Sequence, residues 1–210
     1  MVSKLFKNLK IEKLKNSRGI TLIEIVVVIF IIALFSIILI SDFPKMLRQF
    51  ALSRVTYKLA QDLRKSEDLG LSGVPINDQN NNPIAIKGYG IYINLAESTT
   101  KYIIYADVDG NQKYSGDFST HLCSDQINPK SDCPIEKIID ISNENPSLSI
   151  KEPITNISED LTSINFSPPN PTVRIDNINP SSSSVGITIG NTDGLERTIQ
   201  VNTSGLISVQ

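Results

Sequence analysis

The sequence predicts an α+β fold in which one long N-terminal helix, apolar in its first half and amphipathic in its second, packs on an antiparallel β-sheet domain. Three observations lead there. Residues 20–40 form a run of 21 residues interrupted only by Thr21, Glu24 and Ser36. Apolar residues then recur at spacings of three and four as far as Leu63. Beyond residue 70, short β-type runs alternate with turns rich in Asn, Asp, Gly and Pro.

A chain of 210 residues with 40% hydrophobic content has room for one ordinary globular domain plus an anchor. The formal net charge of −2 hides a gradient along the chain. Residues 1–18 hold six Lys/Arg and one Glu, residues 20–69 six basic and five acidic side chains, and residues 70–210 eight basic and sixteen acidic. A basic head ahead of an acidic body places the two ends in different compartments.

The apolar run comes first. At about 1.5 Å per residue a helix of that length spans roughly 30 Å, the thickness of a bilayer core. Lys4, Lys7, Lys10, Lys13, Lys15 and Arg18 precede it. The positive-inside rule keeps them cytoplasmic and sends the C-terminal part outward. A secretory signal has a shorter apolar region and a small-x-small cleavage site, whereas this run ends in Ile38-Leu39-Ile40-Ser41-Asp42. A plain anchor has no use for Glu24, because a carboxylate in the span costs about 2.5–3.5 kcal/mol on insertion scales.

The residues around that glutamate, Arg18-Gly19-Ile20-Thr21-Leu22-Ile23-Glu24, resemble the prepilin cleavage motif of type IV pilins and of type II secretion pseudopilins. The resemblance implies that a membrane prepilin peptidase cuts between Gly19 and Ile20, that Ile20 is then N-methylated, and that Glu24 answers the freed amine. Electrostatics points the same way, since pairing an ammonium at Ile20 with the carboxylate of Glu24, in the same or a neighbouring subunit, lowers the burial cost of both. The first mature residue is Ile where Phe is commoner in the family. The chain divides into a leader at 1–19, a transmembrane helix at 20–41, a stalk helix at 42–70 and an exported β-rich domain at 71–210.

In the stalk, Phe43, Leu47, Phe50, Ala51, Val55, Leu59 and Leu63 mark an amphipathic helix running to about Leu69, with Gly70 and Gly73 as stop signals. Pro44 cannot donate to the carbonyl of Ile40, so a bend or loosened turn is expected there. The stripe is read as packing under a sheet, with its C-terminal half forming one wall of the domain core. The stretch from Tyr57 to Arg64, followed by Gly73-Val74-Pro75-Ile76, resembles the helix end and first strand of H-type minor pseudopilins and related minor pilins.

Residues 77–83 read as a polar loop. Strands are expected at 89–95, 101–106, 135–141, 162–166, 172–176, 185–190, 197–202 and 206–209. The last three form a meander, because Asn191-Thr-Asp-Gly194 and Asn202-Thr-Ser-Gly205 are turn sequences. Pro168, Pro169, Pro171 and the run from Pro180 to Ser184 read as loops between strands.

Two groups of residues could carry chemistry in this domain. Asp107, Asp109 and Asn111, spaced around Gly110, resemble the opening of a calcium loop, and Asp117 could add a ligand; the distal Glu of such a loop is absent. An Asp-Gly hairpin turn explains the same residues and is the preferred reading. Cys123 and Cys133 are expected to form a disulfide if the domain is exported, whereas a metal site made from them and His121 lacks a recognised zinc spacing.

The function expected is therefore structural: a minor pilin or pseudopilin of a type IV pilus or type II secretion pseudopilus, with no cofactor required. The resemblance implies other subunits, the prepilin peptidase, the inner-membrane assembly platform and membrane lipid as partners. The alternative is a DNA-uptake minor pilin that binds nucleic acid through the exported domain. The acidic balance after residue 69, with Arg197 the only basic residue among the last 35, argues against it. An anchored enzyme is disfavoured by a single His and the absence of Gly-x-Ser-x-Gly, phosphate-loop and His-Glu-x-x-His motifs.

Overall fold

The computed structural model describes residues 19–152, 154–168 and 172–210. The basic leader through Arg18 and the loop residues Pro169 and Pro171 lie outside them. The chain divides into two compact units, residues 1–44 and 45–210, each taken by itself below.

Helix α1 covers Leu22–Ser72, with Pro44 inside it. Its part in the first unit is apolar on every side and exposed throughout, and it is long and apolar enough to cross a membrane. Ser36 donates its hydroxyl to the Ile32 carbonyl at 2.8 Å, the ordinary way a serine is satisfied on an apolar helix.

In the second unit one face of α1 is buried, with Leu52, Val55, Thr56, Leu59, Ala60, Leu63, Ser66 and Gly70 against the sheets. The C-terminal half of the stripe forms the core wall as expected, with Ala51 partly buried against it, whereas Leu47 and Phe50 are 50% and 60% exposed, and Phe43 in the first unit 57%. Periodicity marks apolar positions without showing where the covering sheet begins.

The helix also outruns its expected end by three residues. Gly73 stops it, with φ at 59° and its N–H returned to the Leu69 carbonyl at 3.0 Å, a left-handed C-cap. Gly70 is not a stop signal. It lies inside the helix, where a Cβ would overlap the Phe166 carbonyl, so its role is close approach.

The strands are β1 (Ile76–Asn77), β2 (Pro83–Ile84), β3 (Gly88–Asn94), β4 (Lys101–Asp107), β5 (Cys133–Pro134), β6 (Ile139–Asp140), β7 (Ser149–Ile150), β8 (Leu161–Ser167), β9 (Thr172–Ile175), β10 (Ser184–Gly190), β11 (Glu196–Asn202) and β12 (Ile207–Val209). All pairings are antiparallel. One sheet runs β5-β4-β3-β8-β9 with β6 also on β4; a second runs β12-β11-β10-β7; β1 and β2 pair separately. The expected meander is β10-β11-β12, its two turns held by the side-chain oxygens of Asn191 and Asn202.

Two expectations change. The strand at 135–141 is replaced by β5, β6 and a 3-10 turn at Ile141–Asn143, since both short strands add to the edge of β4 at different points. The polar loop at 77–83 holds the turn of the β1-β2 hairpin, where Asp78 accepts N–H bonds from Asn80 and Asn82, each at 2.8 Å.

Strands β3, β4 and β8 are buried on both faces, which explains their near-continuous burial despite the two-residue alternation of side chains. Ile91, Ile93, Ile104 and Ile164 face α1 and the second sheet. Tyr92, Ile103 and Tyr105 face the other way and are covered by Tyr114 and Phe118 from the excursion between β4 and β5. The Tyr92 and Tyr114 rings are tilted with centroids 4.7 Å apart.

Candidate functional site

The first candidate is the N-terminal segment. Gly19 and Ile20 precede α1 and are exposed, Ile20 at 72%. Among the described residues, nothing lies within 4 Å of the position a Cβ would take at Gly19. Thr21 is the N-cap: its hydroxyl accepts the Glu24 N–H at 3.3 Å, and its carbonyl accepts the Ile25 N–H at 3.3 Å. Glu24 is the acidic residue of the first turn, where the positive end of the helix dipole favours a carboxylate. Ile20 and Glu24 line one apolar groove with Ile25, Val28 and Ile29. An amine at Ile20 and the Glu24 carboxylate therefore share a face of the helix start.

The second candidate is the neck of the excursion between β4 and β5. Oxygens of Asp107, Asp109 and Asp132 lie within 4.8 Å of one another, with Asp107 and Asp132 buried and Asp109 exposed. Asp107 accepts the Gly110 N–H at 2.6 Å and the Gln112 N–H at 3.0 Å; Asp109 accepts the Asn111 N–H at 2.9 Å. These are the bonds of an Asx-type turn. Asp132 accepts N–H groups from Val108 and Ser115, each at 3.0 Å, and so fastens both ends of the turn. Burial pushes the Asp132 carboxyl up to about 6 against the pull of its N–H donors, and the charges of Asp109 and Asp107 add to the rise. Burial raises Asp107 as well. Three converging carboxylates match the hard oxygen chemistry of a divalent cation, and Asp107, Asp109 and Asp132 are the residues that could hold one.

The third carboxylate of this group is Asp132 and not Asp117. Asp117 stands in a turn of its own, accepting from the Ser119 N–H at 2.8 Å and the Ser119 hydroxyl at 2.7 Å, which hold its carboxyl below the usual range. The side-chain oxygen of Asn111 accepts the Lys113 N–H at 2.8 Å. Asp132 was missed because it is 25 residues from Asp107 in sequence. The signal was the cysteine beside it: pairing of Ala106 with Cys133, continued by one residue, sets Asp132 opposite Asp107.

Cys123 and Cys133 form a disulfide and are fully buried, which removes them as thiolate ligands. His121 is exposed and lies with Ser119, Thr120 and Glu136 along a surface groove. The arrangement gives that histidine no cysteine partner for a metal.

A sequence profile described as the prokaryotic N-terminal methylation motif matches residues 14–40. Comparison with curated proteins and with solved structures returns no match. The matched stretch contains Gly19, Ile20 and Glu24, and it leads into a long apolar helix and an antiparallel β domain. The chain thus carries a prepilin-type N-terminal methylation motif ahead of a long apolar helix, features that support a type IV pilin-like family.

Proposed function

We propose that the chain is the precursor of a minor pilin or pseudopilin, a filament subunit that works by assembly and carries out no catalysis. The observation that carries this reading is the methylation motif over residues 14–40, with its single carboxylate at the start of an apolar helix. A prepilin peptidase removes residues 1–19 and Ile20 is methylated. The apolar part of α1 anchors the subunit in the membrane and later packs against the same helix of its neighbours, and Glu24 pairs with an Ile20 amine. Exposed apolar residues of α1 support that packing: Phe30, Phe35, Ile38, Phe43 and Phe50 are all at least 57% exposed.

The basic head and acidic body support an N-terminus in the cytoplasm and a β domain beyond the membrane, and the disulfide accords with an oxidising compartment. The acidic balance of residues 70–210 disfavours the DNA-uptake alternative.

Two substitutions test the reading in whole cells. Gly19→Ala leaves an uncleaved precursor in the membrane. Glu24→Ala is cleaved as usual and fails to enter the filament fraction. Normal processing of the first variant would show that the scissile bond is elsewhere.

A further inference from the structure

The covered face of α1 begins abruptly. From Lys45 to Phe50 every residue is exposed except Arg48, which is partly covered, whereas Leu52 is 2% exposed and Val55 and Leu59 follow it into the core. Little apolar area of residues 45–50 is removed from water, so burial does not hold this stretch on the β domain. Another contact must do so.

That contact is ionic. Arg48 donates from Nε to Asp193 Oδ2 at 2.5 Å and from Nη2 to Oδ1 at 3.0 Å, bridging positions 145 residues apart. Two parallel bonds make the fork that gives an Arg–carboxylate pair direction as well as attraction. The side chains are 28% and 31% exposed, so water and salt screen the pair without abolishing it. Among the described residues, no other side chain from 45 to 51 hydrogen-bonds to the β domain.

Asp193 is fixed from its own side. It stands in the β10-β11 turn, where the buried Asn191 accepts the N–H groups of Asp193 and Leu195 on its side-chain oxygen, each at 3.0 Å. Gly194 completes the turn with φ at 81°, a value that favours glycine. The carboxylate therefore keeps its place on the domain, and the helix is the side free to leave.

We propose that the Arg48–Asp193 pair is a strap that sets where the β domain's hold on α1 begins, at Arg48 when closed and at Leu52 when open. Closed, it keeps the exposed Leu47 and Phe50 at fixed positions beside the domain. Open, it releases roughly one and a half turns of helix that carry both. Ions that compete for either partner open it. The strap does not depend on cleavage at Gly19.

The test uses the detergent-solubilised full chain as wild type, Arg48→Gln, Asp193→Asn and the double variant. Deuterium exchange of α1 amides is read in two groups, 45–51 and 55–63. Asp193→Asn keeps the shape of the turn, whose bonds run through Asn191 and the backbone. Each single variant should exchange about fivefold faster at 45–51 and unchanged at 55–63. The double variant should be no faster than either single, because the two changes remove one interaction. Raising salt from about 0.05 M to about 0.5 M should speed the same amides in wild type and leave the double variant as it was, an arm that needs no substitution in the responding chain.

Wild-type exchange at 45–51 in Asp193→Asn overturns the strap. An increase shared equally by 55–63 overturns it too, since that marks a general loosening of the domain. So do additive effects in the double variant, or a salt response that the double variant retains in full.

Discussion

Asp132 is buried, accepts two backbone N–H bonds, and faces two further carboxylates. Its folded carboxyl sits at about 6, above the ordinary value near 4, so the folded domain holds this proton more tightly than the unfolded chain does. Stability from this group is therefore full at low pH, falls as pH rises from about 4 to about 6, and is absent above that; Asp107 contributes in the same direction. Asp78 and Asp117, which their hydrogen bonds hold below the usual range, act oppositely and lose their contribution only in stronger acid. The melting midpoint of a fragment covering residues 45–210 should rise between about pH 7 and about pH 5, and Asp132→Asn should flatten most of that rise. Identical pH profiles for the two proteins would contradict the assignment.

At the same scale some candidate residues are legible in the sequence and others are not. Gly19, Ile20 and Glu24 stand out as candidates because they are consecutive with the apolar run that gives them meaning. Asp132 does not, because the β4-β5 pairing that brings it to Asp107 spans a long excursion with no pattern of its own. Asp117 misled for the converse reason, being near in sequence but engaged by Ser119.

Among the elements, α1 carries most of the testable energetics. Leu59 is fully buried between the sheets, and Leu59→Ala should destabilise the 45–210 unit by about 2–5 kcal/mol through the cavity it leaves. Phe50 has the larger side chain, yet Phe50→Ala should change stability by less than about 0.5 kcal/mol because its ring is exposed. If the two were equally destabilising in denaturant unfolding, the boundary between the covered and uncovered parts of the stripe would be misplaced. The same two residues show what periodicity can and cannot do. Both fit the spacing of three and four, but only a sheet strand opposite turns such a position into core. The short edge strands were illegible for a related reason: β5, β6 and β7 are two residues each and exist only through their partners β4 and β10.

For the molecule as a whole, the α+β architecture could be read from a change of period along the chain, from an apolar run through a helical stripe to strands and turns. The cover over the outer face of the larger sheet could not. Tyr114 and Phe118 sit in a polar stretch, in an excursion whose far end carries the Cys123–Cys133 disulfide. Replacing Cys123 and Cys133 together by Ser should lower stability by about 3 kcal/mol, as expected for opening a short closed loop, and should make residues 108–132 the first site of proteolysis. Protease resistance equal to that of wild type would show that the tyrosine packing holds the cover without the bond.

Where the mature molecule starts decides whether this chain is processed as a prepilin. Mass analysis of the N-terminal peptide of the filament-incorporated chain tests it most directly. A peptide that begins with N-methylated Ile20 and contains Glu24 is the result predicted. A peptide that begins at any other residue, or retains Gly19, would contradict it.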